Sequence, residues 1–408
     1  MKRYSEYKDS GVKWIGEIPK HWKRIKLKFL TDSMQSGTNL TSFQIQETGR
    51  YPVLGGNGIR GYYDKFNCDK ECIVIGRQGA LCGNVHIIKE KFWATDHAVV
   101  TFSNDLTDIN FLYYLCNAMN LNQYASQTAA QPGLAVSTIK NIYTSLPPLF
   151  EQQEIASYLD NKVSKIDTYI STAEKKIVAL DELKQVTIAD AVTHGINPDV
   201  PMKNSGIPWI GMVPEHWKLT RIKFLFNEIS EKEHPEEPCL CSTQKYGVIP
   251  QSMYENRVVV VNKGLENLKF VRKGNFVISL RSFQGGIEIA YYQGIISAAY
   301  TILSLGNKNI SSNYIKYLFK SSPFIQLLQT CVTGIREGQN INYELLRRQF
   351  IPIPTLSQQN EIVAYIDRKV AQIDKMKAAE LAQIDKLKEY KQRLISDVVT
   401  GKVKVTND

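Results

Sequence analysis

The sequence has no long apolar run and no apolar stretch behind its first charged residues. No segment reaches the about 18 consecutive apolar residues that a membrane-spanning helix needs. The opening residues 1–6 are mostly polar and are not followed by an apolar core, so a signal peptide is not expected. We therefore expect a cytoplasmic protein that has no membrane partner.

The chain has seven cysteines, and they do not form a recognisable framework. The seven cysteines are odd in number and recur at no matching positions, which argues against a set of structural disulfides. Cys68, Cys72, Cys82 and His86 are spaced so that they could hold zinc. Structural zinc sites are usually tighter and paired, so we interpret these residues as reduced cysteines and a histidine near strands.

The sequence also lacks the common motifs of nucleotide, dinucleotide, serine-hydrolase and zinc-protease chemistry, namely G-x-x-x-x-G-K-[ST], G-x-G-x-x-G after a strand, G-x-S-x-G and H-E-x-x-H. His21 and His216 recur in equivalent contexts, each directly before a tryptophan. That setting favours a packing role over acid–base catalysis. We expect a chain that is not an enzyme and that binds neither a cofactor nor a metal.

What the sequence does contain is a duplication. Ser10–Lys23 returns as Ser205–Lys218, and the offset of 195 residues persists through Lys28-Phe29-Leu30 and Lys223-Phe224-Leu225. A second motif, Pro147–Asp160, returns as Pro354–Asp367 at an offset of 207. The period is far longer than the roughly 20–50 residues of a solenoid unit, so each copy is the size of a domain.

The two motifs divide the chain into four segments, and net charge separates the segments into two kinds. Residues 1–150 and 198–356 carry +5 and +6, whereas 151–197 and 357–408 carry −3 and +2. The two segments of the first kind together carry +11, and the two of the second kind together carry −1. A basic excess in one kind of segment indicates a polyanionic partner for it.

The segments 151–197 and 357–408 have the apolar repeat of long helices. The positions of the first seam are Leu159, Val163, Ile166, Ile170, Ala173, Ile177 and Leu180. The second seam uses Ile362, Ile366, Val370, Ile373, Ile384, Leu387, Leu394 and Val398. Lys377 and Glu380 interrupt it, so the helices must either accept a polar layer or shift their packing to Met376 and Leu381. We expect the two helices to pair antiparallel; parallel and intermolecular pairing are the alternatives.

The segments 1–150 and 198–356 have short apolar runs bounded by glycine and lysine, which predict mixed domains with more strand than helix. Arg and Gln lie beside glycine in several of their loops. Arg pairs with guanine and Gln with adenine in the major groove, and glycine lets a loop approach a groove closely. Ordinary polar turns are the alternative. The candidate DNA-binding residues are Arg60, Arg77, Gln78, Arg281, Gln284, Arg336 and Gln339.

Together these motifs resemble the DNA-specificity subunit of type I restriction–modification systems. The resemblance is carried by residues 14–22 with 209–217, by 152–155 with 358–362, and by the closing Asp397–Val403. It covers the whole chain and implies an α+β fold: two mixed α/β target-recognition domains (1–150 and 198–356) alternate with two long spacer helices (151–197 and 357–408). The helices pair as an antiparallel coiled coil, which makes a pseudo-twofold tandem repeat.

The same resemblance implies how such a chain would act. Each recognition domain binds one half of a split DNA target, and the helices set the spacing and dock two methyltransferase subunits. Restriction–translocation subunits join that complex. The chain itself catalyses nothing, and S-adenosylmethionine is expected on the methyltransferase. The alternatives are a self-sufficient nuclease or methyltransferase and a coiled-coil scaffold that binds proteins.

Overall fold

The computed structural model describes residues 2–79, 81–126, 133–255, 264–334 and 340–405. The chain divides into two compact units, of which unit 1 comprises Met1–Ala173 and Leu381–Asp408, and unit 2 comprises Glu174–Glu380. Both long helices therefore belong partly to each unit. The four-segment division at 150, 197 and 356 stays a prediction.

Two of the helices are much longer than the rest, and each begins within a copy of the second repeated motif, Pro147–Asp160 or Pro354–Asp367. The helices are α1 (Ile109–Ala118), α2 (Val136–Lys140), α3 (Leu149–Thr193), α4 (Ser282–Gly285), α5 (Ser312–Lys320), α6 (Ser322–Thr330), α7 (Tyr343–Leu346) and α8 (Leu356–Val399). The short helices α1 and α5 lie in the segments 1–150 and 198–356, which were predicted to be mixed. No helix in the described ranges combines the length and the apolar character that crossing a bilayer requires.

Unit 1 is built around a four-stranded antiparallel sheet of order β4-β10-β7-β8. Its strands are β1 (Tyr7–Asp9), β2 (Glu17–Pro19), β3 (Lys23–Lys26), β4 (Thr31–Ser36), β5 (Tyr51–Gly55), β6 (Gly58–Tyr63), β7 (Cys72–Gly76), β8 (Val85–Ile88), β9 (Trp93–Ala94), β10 (Ala98–Ser103) and β11 (Tyr143–Leu146). A second sheet has the order β6-β5-β9, and the pairs β1-β2 and β3-β11 complete the unit.

Unit 2 repeats the four-stranded sheet in the order β15-β22-β19-β20. Its strands are β12 (Met202–Asn204), β13 (Met212–Pro214), β14 (Lys218–Arg221), β15 (Phe226–Ile229), β16 (Leu240–Thr243), β17 (Gly247–Pro250), β18 (Lys269–Val271), β19 (Phe276–Ile278), β20 (Glu288–Ile289), β21 (Gly294–Ile296), β22 (Thr301–Leu305), β23 (Val332–Thr333), β24 (Asn340–Ile341) and β25 (Phe350–Ile353). Its β12-β13 and β14-β25 pairs match β1-β2 and β3-β11, so the duplication holds at the level of topology.

The long helices α3 and α8 pack against each other antiparallel. In unit 2, Lys176 pairs with Glu380 and Lys184 with Asp374, so the partner number falls as the first number rises. In unit 1, Lys391 Nζ lies 2.7 Å from Asp167 Oδ1. The predicted seam residues Leu159, Ile166, Ile170, Ala173 and Leu180 are buried, as are Ile362, Ile366, Ile373, Ile384, Leu394 and Val398.

The polar interruption of the second seam is accommodated as a polar layer. Lys377 forms an ion pair with Asp181, and Glu380 forms one with Lys176. The Lys377 and Glu380 side chains are 23% and 15% exposed, whereas Met376 and Leu381 remain about half exposed. The packing therefore does not shift to the flanking apolar residues.

The repeated glutamine of the second motif explains why that motif recurs. Gln152 Nε2 donates to the carbonyls of Leu106 and Pro147 at 3.0 and 2.9 Å, and its Oε1 accepts from the Asp108 amide. Both Gln152 and its counterpart in unit 2 are almost fully buried. Each one fastens the start of a long helix to the loop that enters a short helix.

The counterpart in unit 2 makes the same set of bonds. Gln359 Nε2 donates to the carbonyls of Asn309 and Pro354, and its Oε1 accepts from the Ser311 amide at 2.7 Å. Because the bonds to the Pro147 and Pro354 carbonyls are buried, replacing either glutamine would remove a partner from a buried backbone carbonyl.

The repeated tryptophans anchor each unit against helix ends. Trp22 is fully buried, and its Nε1 donates to Glu151 Oε2 at 3.1 Å. Gly401 lies against Trp22 with φ +75°, and Gly195 lies against Trp217 with φ +83°. A Cβ at Gly401 would come within 2.4 Å of Pro19, so this helix end requires glycine both for its left-handed backbone and for space.

Candidate DNA interface

In unit 1 the predicted residues Arg77 and Gln78 lie in the loop directly after β7. Arg77 is half-buried, its Nη1 lies 3.3 Å from Ser36 Oγ, and its backbone amide donates to the His97 carbonyl at 2.9 Å. Gln78 is exposed. The described residues 77–79 and 81–83 are called recognition loop 1. Its arginine is held in place while its glutamine is free to reach a ligand.

The turn between β5 and β6 abuts recognition loop 1. A Cβ at Gly76 would lie 1.9 Å from the Gly56 carbonyl oxygen, so only glycine permits this approach. Asn84 Nδ2 donates to Asn57 Oδ1 at 2.6 Å across the same junction. Arg60 follows this turn and is exposed on β6. The structure thus places the turn that leads to Arg60 beside the loop that carries Arg77 and Gln78.

In unit 2 the predicted residues Arg281 and Gln284 follow β19, the strand that corresponds to β7. Residues 279–286, which include the short helix α4, are called recognition loop 2. Arg281 and Gln284 are both exposed. Arg281 is the third residue after its strand, whereas Arg77 is the first after β7, so the two arginines do not occupy the same position.

Arg281 lines a cavity of about 510 Å³ in unit 2. Its polar lining includes Ser279, Ser297 and Tyr300, and burial raises the pKa of the Tyr300 hydroxyl. The loop also packs against the β16–β17 turn, since a Cβ at Gly285 would lie 2.5 Å from the Gln244 side chain. The cavity therefore brings together an exposed guanidinium and hydroxyl groups that suit hydrogen bonding to base edges or phosphates.

Sequence reasoning missed a set of aromatic and basic residues in unit 2. They line a neighbouring cavity of about 830 Å³ and include Lys245, Tyr246, Lys273, Tyr291 and Tyr292. The paired tyrosines after β20 were a visible signal, because aromatic rings interleaved with lysine are typical of nucleic-acid surfaces. Two predicted residues, Arg336 and Gln339, lie outside the described residues.

The cysteines do not form a metal centre in the described part of the chain. Cys68 Sγ and Cys72 Sγ lie 3.8 Å apart and both residues are buried. The described ranges hold no group of three or more His, Cys, Asp or Glu side chains placed to bind a metal ion. The recurring histidines contact helix starts instead: His21 Nε2 lies 2.6 Å from Glu151 Oε1, and His216 Nε2 lies 2.7 Å from Gln358 Nε2.

The comparisons with known proteins all point to the same family. The model described as type I restriction modification DNA specificity domain matches residues 19–177 and 214–386. The EcoprrI type I restriction enzyme specificity subunit of Escherichia coli is 40% identical over 182 residues, which span 41% of this chain and 41% of that protein. The putative MjaX type I specificity subunit of Methanocaldococcus jannaschii is 24% identical over 440 aligned positions, which cover 98% of both chains.

A solved structure shares the fold. Its description concerns complex assembly and conformational transition of the type I restriction–modification system, and it superposes with a TM-score of 0.67 at 15% identity, covering 95% of this chain and 99% of that chain. The repeated sheet topology, the paired long helices and the arginines of the two recognition loops are together the features of a tandem DNA-specificity protein. The chain belongs to the type I restriction–modification DNA specificity family, which confirms the resemblance and the predicted α+β architecture.

Proposed function

We propose that this chain is the DNA-specificity subunit of a type I restriction–modification complex. The mixed domain of each unit recognises one half of a split target, and the paired helices set the spacing between the halves. The observation that carries the proposal is that the specificity-domain model matches twice, once in each copy of the duplication. Recognition loop 1 supplies the half-buried Arg77 and the exposed Gln78, and recognition loop 2 supplies the exposed Arg281 and Gln284. Arg and Gln are side chains that can pair with base edges.

The physical mechanism follows from the charge distribution. Residues 1–150 and 198–356 carry +5 and +6, so lysines and arginines neutralise phosphates and give a salt-dependent grip. A few loop side chains then select bases, each contributing about 1–3 kcal/mol of discrimination. Two recognition domains of modest affinity on one chain bind DNA with high overall affinity, because the second binding event is intramolecular.

The proposal also assigns the chemistry to other subunits. Two methyltransferase subunits that use S-adenosylmethionine, together with restriction–translocation subunits, would act in the cytoplasm on the DNA that this chain selects. The chain would contribute no catalytic group and bind no cofactor. Family membership supports this assignment over an enzyme or a protein scaffold.

Modified-base sequencing tests the proposal. A host that expresses this chain with the methyltransferase of its own system is compared with a host that lacks only this chain. We expect a new split motif, methylated on adenine in both halves. A stable complex that produces no new motif would contradict the proposal.

A further inference from the structure

Both units expose a phenylalanine in the repeated frame. Phe29 is 54% exposed and Phe224 is 69% exposed. Each follows a lysine whose Nζ lies over its ring, at 5.0 Å for Lys28 and 4.9 Å for Lys223. The pairs lie at the same offset in the duplication, so the same exposed arrangement is present twice.

A second cation and ring adjoin each pair. Lys26 lies directly opposite Tyr143 in the β3–β11 pair, with Nζ 5.2 Å from the ring centre. Arg221 lies directly opposite Phe350 in the β14–β25 pair, with its guanidinium carbon 4.9 Å from the ring. Each strand runs straight into the short 3-10 helix that holds the exposed phenylalanine. The basic–aromatic strip is defined as Lys26, Lys28, Phe29 and Tyr143 in unit 1, and as Arg221, Lys223, Phe224 and Phe350 in unit 2.

In unit 1 the strip lies at the end of the central sheet away from recognition loop 1. Thr31 begins β4 directly after the strip and faces Ser103, whereas Ser36 ends β4 and faces Val99. Gly76, which leads into recognition loop 1, faces Ala98. The five steps between the six residues of β4, at about 3.3 Å each, separate the two ends by roughly 17 Å.

Unit 2 has the same arrangement. Phe226 begins β15 just after the strip and faces Leu305, the last residue of β22. Ile278, which leads into recognition loop 2, faces Thr301, the first residue of β22. In both units the strip and the recognition loop therefore occupy opposite ends of the sheet.

This placement separates the strip from the surfaces that differ between the units. The arginine stands at a different position in recognition loops 1 and 2, and loop 2 contains the short helix α4, as expected where each unit contacts a different half-site. The strip keeps its residue types. A surface repeated in kind fits a partner present in two copies, and exposed aromatic rings are typical of the anchors of protein interfaces. Aromatic rings beside lysine also suit nucleic acid, but the strip lies at the end of the sheet away from the recognition loop, which favours a protein partner.

The charge of the strip indicates what the partner presents. Among the described residues, Lys26, Lys28, Arg221 and Lys223 form no ion pair with a carboxylate, and their cations lie over aromatic rings. We propose that each strip docks one copy of the same protein, through an acidic surface with a pocket for the phenylalanine. This inference rests on the proposed function in taking that protein to be the methyltransferase subunit.

The test measures how many methyltransferase subunits the full-length chain carries. The chain is co-expressed with the methyltransferase of its system, purified through a tag on the chain, and weighed by native mass spectrometry. The wild-type chain is expected to carry two copies, Phe29→Ala or Phe224→Ala one copy, and the double variant none. Association at each altered strip should weaken by at least about tenfold. Lys28→Glu with Lys223→Glu should act in the same direction.

The controls separate docking from folding and from the proposed function. Phe43 is 98% exposed and lies outside the strip, so Phe43→Ala should keep both copies. An unchanged thermal transition of the double variant excludes misfolding. A double variant that keeps two methyltransferases, or a wild-type chain that carries none, overturns the inference. Loss of duplex binding with both methyltransferases retained would assign the strip to DNA and overturn it too. A loaded wild-type complex without a methylated split motif would instead overturn the proposed function alone.

Discussion

The two units share a frame and differ in what that frame holds. The four-stranded sheets have the same strand order, and the buried glutamines Gln152 and Gln359 make the same bonds. Beside the sheet, unit 1 has the three-stranded β6-β5-β9 sheet, whereas unit 2 has the separate pairs β16-β17 and β18-β21. The glutamines that bond the long helices to the domains are the same in both units, whereas residues of the recognition loops differ between the units.

The two units also differ at the start of the long helices, where Glu151 in unit 1 corresponds to Gln358 in unit 2. In unit 1, Glu151 accepts hydrogen bonds from Trp22 and Tyr4 and lies 2.6 Å from His21. In unit 2 its position is taken by Gln358, beside a cavity of about 130 Å³ that Trp217 and His216 also line. At this junction unit 1 therefore has a buried carboxylate with several partners where unit 2 has a glutamine beside a small cavity.

The largest predicted effect comes from the tryptophans of these junctions. Trp22→Ala and Trp217→Ala should each lower the free energy of unfolding of their own unit by about 3–5 kcal/mol. Trp22→Phe should cost about 1–3 kcal/mol more than Trp217→Phe, because only the former removes a donor from a buried carboxylate. Hydrogen exchange on peptides from each unit measures the two costs separately. Equal costs for the two phenylalanine variants would contradict the difference between the junctions.

The second prediction uses pH, because the two units bury titratable groups of opposite kind. Burial raises the pKa of Glu288 in unit 2 to about 7, although Lys320 Nζ lies 2.6 Å away and acts to lower it. Between its usual value near 4.5 and about 7, the folded state binds more protons than the unfolded state. The free energy of unfolding of unit 2 therefore falls as pH rises through this window.

Glu288→Gln removes that dependence. Relative to the wild type, the variant should gain up to about 3 kcal/mol between pH 4.5 and pH 8. In unit 1, burial lowers the pKa of His86, so its stability should instead fall as pH drops below about 6.5. Hydrogen exchange at several pH values follows both units at once. A Glu288→Gln variant with the slope of the wild type would show that another group is responsible.

The third prediction concerns specificity. Arg77→Ala should relax one half of the methylated motif and Arg281→Ala the other, each by about 1–3 kcal/mol of discrimination. Modified-base sequencing reports both halves in one experiment. Arg393→Ala serves as the control, because that side chain is 80% exposed on α8 and far in sequence from either loop. Relaxation of the same half by both loop variants would contradict the assignment of one loop to each half-site.

The smallest predicted effect lies in the polar layer of the helix pair. The Lys377–Asp181 pair is partly exposed, so a double-alanine cycle should give a coupling below about 1 kcal/mol that shrinks with added salt. Lys391 and Asp167 form a comparable pair in unit 1 and should behave alike. A coupling of several kcal/mol at either site would mean that the layer is desolvated.

Much of this frame could be predicted because its signals are periodic or repeated. The seam of α3 follows from apolar spacing, and the duplication follows from the two motifs. Spacing alone could not choose between a polar layer and shifted packing at Lys377. The structure shows a polar layer, in which Lys377 pairs with Asp181. The bonds of Gln152 and Gln359 were not predictable, because their partners are backbone groups distant in sequence.

The candidate interface was less predictable for a physical reason. Arg77 and Arg281 could be selected by type and by neighbouring glycine, but their different positions after equivalent strands depend on loop conformation. Lys245 and the tyrosines Tyr291 and Tyr292 converge only when β17 and β20 fold. The surroundings of such side chains are set by non-local contacts, which a single sequence does not specify.

The way the helices are shared also sets an order of events during synthesis. Unit 2 is one contiguous stretch, Glu174–Glu380, so every residue it needs has been made once Glu380 leaves the ribosome. Unit 1 also needs Leu381–Asp408, which the ribosome adds only after unit 2 has been made. Domains usually fold in the order of their translation. We therefore expect unit 2 to complete its structure before unit 1, because the part of α3 that belongs to unit 1 lacks its partner on α8 until Leu381–Asp408 has been made.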